Sequence, residues 1–312
     1  MTISEEKILD VKSRLEAIHP DNKEEYIASY YDISPQTARR YIRLANAYAE
    51  PEPNLPKILL IDIETAPCLA YTWGSGYKLN IPPEWIKEDW YIICYAAKWL
   101  LEDGVFGECV SPYESVHLDD SRVCESLWNL LEEADIVIAH NGKKFDVPKI
   151  NARLIENGFG PPSPYVIIDT LLHARKTFAF DSNKLDMLCQ KNGLGKKNDT
   201  DMGLWMACKA GDRDALQYMF KYNRNDVLML EGLYLYLRPW MTSHPNLALY
   251  CDSDMEICNH CMEKVVKSRI GFYTTPVNRF PAYRCKCGAI LRGRLSDVTK
   301  EERSRYLIST AR

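Results

Sequence analysis

The segment Lys57-Ile-Leu-Leu-Ile-Asp-Ile-Glu-Thr65 constrains this chain more than any other. Its apolar, β-branched residues read as a buried strand. Two acids, Asp62 and Glu64, interrupt the apolar run two positions apart. Period two along a strand sends both carboxylates to one face. Like charges held that close repel unless a cation lies between them. A divalent ion resolves the conflict, and hard carboxylate oxygens suit Mg2+ or Mn2+. Taken alone, the pair also fits a strand end emerging into solvent with both acids hydrated.

Strands and helices alternate around this segment. Tyr91-Ile-Ile-Cys-Tyr-Ala-Ala-Lys-Trp99, Asp135 to His140 and Tyr165 to Asp169 read as further strands. Asp120 to Glu133 has helical spacing at Val123, Leu127, Leu130 and Leu131. Val147 to Asn157 is helical and stops at Gly158, and most of the chain from there to Tyr236 reads as helix. The mixture predicts an α/β domain over residues 57–245, with helices packed on a mixed sheet. Residues 1–50 read as all helix. Pro51-Glu-Pro-Asn-Leu-Pro56, rich in proline, reads as a stiff linker. Residues 246–312 form a third segment.

Two more acidic stretches stand out. In Ala139-His-Asn-Gly-Lys-Lys-Phe-Asp-Val-Pro148 a strand hands over to a helix. Asp146 falls at the start of that helix, with Pro148 in its first turn; alone it would be a helix cap. Tyr222-Asn-Arg-Asn-Asp226 precedes an apolar helical run. Residues four apart share a helix face, so Tyr222 and Asp226 point to one place; alone they would be a surface hydrogen-bonded pair.

Together these stretches resemble the DEDD exonuclease superfamily. Its first motif, Asp-x-Glu, is matched by Asp62-Ile-Glu64, and its second, Asn-x-x-x-Phe-Asp, by Asn141 to Asp146. Its third, Tyr-x-x-x-Asp in the tyrosine subclass, is matched by Tyr222 to Asp226. The resemblance covers residues 57–240. It is nearest to stand-alone phage and bacterial exonucleases related to the proofreading domain of family B DNA polymerases. Those proteins have stretches like Glu88-Asp-Trp-Tyr-Ile-Ile-Cys94, Ala97-Lys-Trp99 and Asn183-Lys-Leu-Asp-Met-Leu188.

The resemblance implies an RNase H-like fold and 3′-5′ hydrolysis of phosphodiesters with two divalent ions about 3.5–4 Å apart. Asp62 would bridge both ions, Glu64 and Asp226 would complete the hydrolytic site, and Asp146 would hold the second ion. Tyr222 would orient the attacking water, since a tyrosine with a pKa of about 10 is a poor base. Asn141 would contact substrate or orient the chain before Asp146. Asp169 would support the site or cap a helix. His140 is expected to be structural, because Tyr222 occupies the place where the histidine subclass keeps its His.

Both flanks suggest nucleic-acid binding. Residues 23–49 resemble a DNA-binding helix-turn-helix, making residues 1–50 such a module. Lys23 to Tyr31 forms one helix with Tyr26, Ile27 and Tyr30 inward, Ser34 caps the next and Pro35 opens it. Arg39, Arg40 and Arg43 then line the helix that would enter the major groove. A protein-docking module with incidental arginines is the alternative. Near the C-terminus, Cys258-Asn-His-Cys261 and Cys285-Lys-Cys287 resemble a zinc ribbon, four thiolates suiting tetrahedral Zn2+. His260 is an alternative ligand. Arg284, Lys286, Arg292 and Arg294 surround the ribbon and could track a phosphate backbone. From Lys264 to Arg312, twelve Lys and Arg stand against three acids, a formal +9. The rest of the chain carries −13, against −4 overall. A basic tail beside an acidic body suits metal in one part and phosphate in another.

The expected protein is therefore a metal-dependent exonuclease acting on DNA 3′ ends in replication, proofreading or repair. The residues after the exonuclease segment are too few for a polymerase, so proofreading would serve a separate DNA polymerase in trans. A catalytically inactive RNase H-like DNA-binding regulator and an RNA exonuclease are the alternatives. No apolar run approaches the roughly 18 residues that span a bilayer, and the N-terminus lacks a signal peptide's apolar centre. No membrane partner is expected, and the location expected is the cytoplasm, the host's for a phage protein. The seven cysteines outside the cluster are expected to be small buried or half-buried residues in a reducing compartment.

Overall fold

The computed structural model describes residues 4–16, 23–47, 55–74, 76, 79–251, 257–264 and 269–306. Residues 51–54 of the proline-rich linker lie outside these. The chain divides into two units, residues 1–55 and 56–312.

The first unit is three helices, α1 (Glu5–Glu16), α2 (Lys23–Tyr30) and α3 (Pro35–Ala47). Their core is Val11, Leu15, Ile27, Ala38 and Ala45. Ser34 caps α3 by accepting the Thr37 N–H at 3.2 Å, and Pro35 takes the first helical position. Tyr26 and Tyr30, expected inward, face solvent at 37% and 50% exposure. A helix this short buries a narrow stripe, here Ile27, and the tyrosines keep their hydroxyl ends wet. The Arg14 guanidinium stacks 3.6 Å from the centroid of the Tyr30 ring.

In the second unit the acid-bearing strand lies at the centre of a five-stranded sheet. Chain order runs β1 (Ile58–Thr65), a small β2–β3 pair (Leu69–Ala70, Ile86–Glu88), β4 (Ile92–Trp99) and β5 (Phe106–Cys109). Then come α4 (Pro112–Val116), α5 (Ser121–Glu133), β6 (Ile136–Ala139), α6 (Asp146–Glu156), β7 (Val166–Asp169) and α7 (Thr170–Thr177). Three more helices follow, α8 (Leu185–Lys191), α9 (Met202–Lys209) and α10 (Arg213–Leu237). The sheet order is β5-β4-β1-β6-β7. β1 is antiparallel to β4 and parallel to β6, and β7 continues in parallel. The edge strand β5 was not anticipated: it is short and contains Gly107. A Cβ there would meet the Tyr95 carbonyl oxygen at 2.1 Å, so glycine permits this pairing.

Both faces of the sheet are covered. Leu59, Ile61 and Ile63 of β1 belong to a core shared with α5 and α6, while Ile58 and Leu60 belong to a second core with α8 and α10. Each fully buried aliphatic side chain contributes about 1.5–3 kcal/mol. This packing offsets the cost of placing Asp62 and Glu64 on the Leu60 face, against which α10 lies.

After α10 the chain forms two cysteine knuckles and an antiparallel sheet, order β10-β9-β8, of β8 (Arg269–Thr274), β9 (Arg279–Arg284) and β10 (Ile290–Arg292). A last short helix, α11 (Lys300–Arg303), is capped by Thr299. Of the seven scattered cysteines, Cys94, Cys124, Cys189 and Cys208 are buried, Cys109 and Cys251 half-buried, and Cys68 exposed. Among the described residues no helix is long and apolar enough to cross a membrane.

Candidate active site

β1 and α10 together build an acidic pocket. Ligand oxygens of Asp62, Glu64 and Asp226 all lie within 4.8 Å of one another. Asp226 is fully buried; Asp62 and Glu64 are partly so. Asp146 comes from α6, where it is the first helical residue, not the residue that caps the helix. Its carboxylate accepts the Ile63 N–H at 3.3 Å, which ties it to the backbone of β1 between the two acids.

The loop that delivers Asp146 is held by Asp169. This carboxylate accepts the N–H groups of Asn141 and Lys143, each at 3.1 Å, and those of Leu171 and Leu172 at the start of α7. Asp169 is thus both helix cap and loop anchor. Asn141 sits at φ 75°, a left-handed conformation that asparagine tolerates better than most residues. Its carbonyl accepts from Lys144 and Phe145, so its backbone turns the chain into α6. His140 is engaged at both ring nitrogens, by the Thr170 hydroxyl and the Asn183 carbonyl, each at 2.9 Å.

Two residues at the site went unread in the sequence. Asn223, fully buried on α10, donates to Asp62 Oδ2 at 2.6 Å and fixes its rotamer. Lys197, in the loop after α8, ion-pairs with Asp226 Oδ2 and lies 3.2 Å from the Tyr222 hydroxyl. The Asp186 carboxylate accepts the Lys197 backbone N–H at 2.8 Å and pins that loop. Neither residue had a visible signal, since Lys197 lies in the irregular stretch Gly195-Lys-Lys-Asn-Asp and Asn223 hides inside the third motif.

The electrostatics favour a divalent cation. Burial, then repulsion from Asp146, Glu64 and Asp226, holds Asp62 well above the ordinary carboxylate range. Burial and Asp226 push Glu64 up to about 8, and burial pushes Asp146 up to about 7. Asp226 is raised by burial despite Lys197 beside it. Asp226 Oδ1 is buried with no hydrogen-bond partner among the described residues. One ammonium cannot balance four acids, and an unpartnered carboxylate oxygen aimed into a hard-oxygen pocket suits Mg2+ or Mn2+.

A pH effect follows. A carboxyl whose pKa rises on folding binds more protons folded than unfolded between the two values, so stability falls as pH rises through that window. For Glu64 the window runs from 4.5 to about 8. Without divalent ions, the melting midpoint should fall across it. Glu64→Gln should raise the midpoint at pH 8 by about 2–4 °C, the scale of 1 kcal/mol. Adding Mn2+ should narrow the difference by stabilising the wild type. A variant melting at or below wild type in metal-free buffer at pH 8 would contradict this.

The four clustered cysteines form a second centre. Their sulfurs lie within 4.8 Å of one another, Cys258–Cys287 at 3.8 Å and Cys261–Cys285 at 3.6 Å. A tetrahedron with Zn–S of about 2.3 Å has edges of about 3.8 Å, so the thiols match zinc. His260 turns away from the sulfurs. Its Nε2 is 3.0 Å from the Met241 carbonyl, its Nδ1 bonds the Asn259 amide oxygen, and its ring stacks on His244.

The remaining candidates lie elsewhere. Arg39 is held by Glu24 at 2.7 Å, while Arg40 and Arg43 are exposed. Arg284, Lys286, Arg292 and Arg294 are exposed around the cysteine centre.

The family model described as the RNase_H superfamily matches residues 106–238. That segment contains Asp146, Lys197, Tyr222 and Asp226 and begins after the strand of Asp62 and Glu64. Among solved structures the chain is similar to the family B DNA polymerase from the hyperthermophilic archaeon Pyrobaculum calidifontis. Identity is 18% over 62% of this chain and 26% of that one, with a TM-score of 0.44. The aligned part is thus about a quarter of the polymerase. No curated protein matches.

Proposed function

We propose that this chain is a divalent-metal-dependent 3′-5′ exonuclease of the tyrosine subclass, acting on DNA 3′ ends. The observation that carries the reading is the meeting of Asp62, Glu64 and Asp226 within 4.8 Å, beside Asp146. The RNase_H superfamily match supports a nuclease scaffold. Asp62, Glu64, Asp146 and Asp226 would hold two Mg2+ or Mn2+ ions. When bound, these supply Lewis-acid activation of water and stabilisation of the departing oxygen.

The chain's own groups do the positioning. The Tyr222 hydroxyl, whose pKa burial raises further, stays protonated and orients the attacking water. Asn223 holds Asp62, and Lys197 holds Asp226 and the tyrosine hydroxyl. The water oxygen bonds to phosphorus, the P–O3′ bond breaks, and the freed 3′ oxygen takes a proton. A nucleoside 5′-monophosphate leaves, and the shortened strand ends in a new 3′-hydroxyl. Asn141 contacts the strand near its 3′ end.

The flanks complete the reading. Residues 1–50 form a helix-turn-helix that meets DNA through Arg40 and Arg43, with Arg39 engaged by Glu24. Residues 57–245 hold the nuclease, and residues 246–312 a basic zinc ribbon closed by Cys258, Cys261, Cys285 and Cys287. Acting in the cytoplasm, the enzyme serves replication or repair, or proofreads for a separate DNA polymerase.

The test uses 5′-labelled single strands of DNA and of matched RNA. With Mg2+, the DNA should shorten one nucleotide at a time from its 3′ end, and EDTA should stop it. A strand with a blocked 3′ end should resist. Faster loss of RNA would make this an RNA exonuclease; no cation-dependent loss of either would leave the inactive regulator. Tyr222→Phe should slow DNA hydrolysis by about 100-fold, the scale for one positioned hydrogen-bonding group. Single-turnover rates would measure this, and complete loss would place the hydroxyl in the chemistry itself.

A further inference from the structure

We propose that the C-terminal three-stranded sheet is a docking platform for a single DNA strand, built from arginine–aromatic pairs. Register places the pairs. Tyr273 lies opposite Phe280, and Arg292 opposite Ala282. Phe280 and Ala282 are two apart on β9, so Tyr273, Phe280 and Arg292 share one face. There the Arg292 guanidinium lies 4.5 Å from the Phe280 ring centroid and 5.6 Å from that of Tyr273. On the opposite face Arg279 lies 4.4 Å over Phe272. Phe272 and Tyr273 remain 47% and 52% exposed.

Some arginines of the nuclease body are neutralised by carboxylates. Arg122 is paired with Glu108 and Glu114, and Arg153 with Asp120 and Glu156. Arg279 and Arg292 lie over aromatic rings instead. The segment from Lys264 onward carries a formal +9. A guanidinium held over a ring still has N–H donors to spare, which suits a phosphate. The half-exposed Tyr273 ring offers stacking surface to any base, whatever its identity. A duplex keeps its bases stacked internally and cannot use the rings. An acidic protein would neutralise the arginines but has no flat bases for them.

That the strand is DNA rests on the nuclease reading. The docking does not, because it needs none of the carboxylates. Binding is therefore measured on the full-length, zinc-retaining protein without Mg2+, by fluorescence anisotropy with labelled (dT)30. Tyr273→Ala should weaken (dT)30 binding by about 5- to 100-fold, the worth of one stacked base, and leave heparin binding unchanged. Arg292→Gln should weaken both and lower the salt slope by about 1. Zinc content of both variants would verify the fold. Independently of any variant, an iododeoxyuridine strand should photocrosslink to wild-type protein within residues 272–292.

Equal loss of (dT)30 and heparin in Tyr273→Ala would reduce the surface to a general polyanion site, such as one for an acidic protein, and overturn the proposal. So would tighter binding of duplex than of single strand, or crosslinks confined to other segments. If the variants lose (dT)30 binding while wild-type protein shows no hydrolysis, the docking stands and the nuclease reading fails.

Discussion

Asp226→Asn should lower the single-turnover rate of DNA hydrolysis by about 10^4-fold or more, the scale seen when one member of a catalytic group is removed. Asp226 is the acid that α10 brings within 4.8 Å of Asp62 and Glu64, and its Oδ1 is buried without a hydrogen-bond partner among the described residues. An amide in its place takes a charge from the pocket but nothing from the packing. Metal-free thermal stability should therefore hold or rise at pH 8, since burial and its acidic neighbours raise the carboxyl pKa values here. DNA affinity should stay within a few-fold, because affinity comes mainly from basic groups. A folded Asp226→Asn protein with near-normal turnover would remove Asp226 from the site. A variant that loses rate only because it melts would leave the assignment without support.

The second large effect concerns zinc. Protein purified without chelators should carry one zinc per chain, and Cys285→Ser should lose it. The local core is little more than Cys258, Cys285 and Ala289, with Cys261, Cys287 and Leu291 against them. So few apolar groups cannot hold three strands alone, whereas structural zinc contributes about 10–16 kcal/mol in small domains. The variant should become protease-sensitive between residues 257 and 306 and bind long DNA weakly. Hydrolysis of a trinucleotide should survive. The knuckle meets α10 through His260, His244 and Tyr234, whose hydroxyl lies 2.8 Å from His244. Asp226 lies eight residues up the same helix, about 12 Å at 1.5 Å per residue. Elemental analysis, limited proteolysis and the trinucleotide assay together test this. A zinc-free wild type would sink the ribbon reading, and loss of trinucleotide hydrolysis would mean that the knuckle holds α10 in place.

Much of the fold was legible because its central strands are extreme. β1, β4 and β6 are apolar and β-branched enough to be buried on both faces, and the acids of β1 stand out against them. Asp146 and Asp226 were legible only as parts of motifs, for each alone has an ordinary helical role. What escaped were features without period. β5 is four residues with a glycine, and Lys197 reaches the site from a loop. Asp120 illustrates how ambiguous an acid can be. It stands at the start of α5 but makes no side-chain cap there. Its carboxylate instead takes the Ile92 N–H and Arg153, roles fixed by elements far away in sequence. The four clustered cysteines were visible by spacing, but the ring pairs of the three-stranded sheet beside them depend on register that spacing does not reveal.

Lys197 makes ion entry an exchange. A cation arriving at Asp226 would compete for the same carboxylate with an ammonium already seated on Oδ2, beside the unpartnered Oδ1. A monovalent ion would trade one unit charge for another and gain little, even where it is abundant. A divalent ion gains a full charge in a pocket where four acids still outnumber their cations. An ammonium loosened from Asp226 in this way would be available to an incoming phosphate. The lysine would thus set a charge threshold for occupancy, so that the pocket would discriminate by valence before coordination geometry discriminates by size.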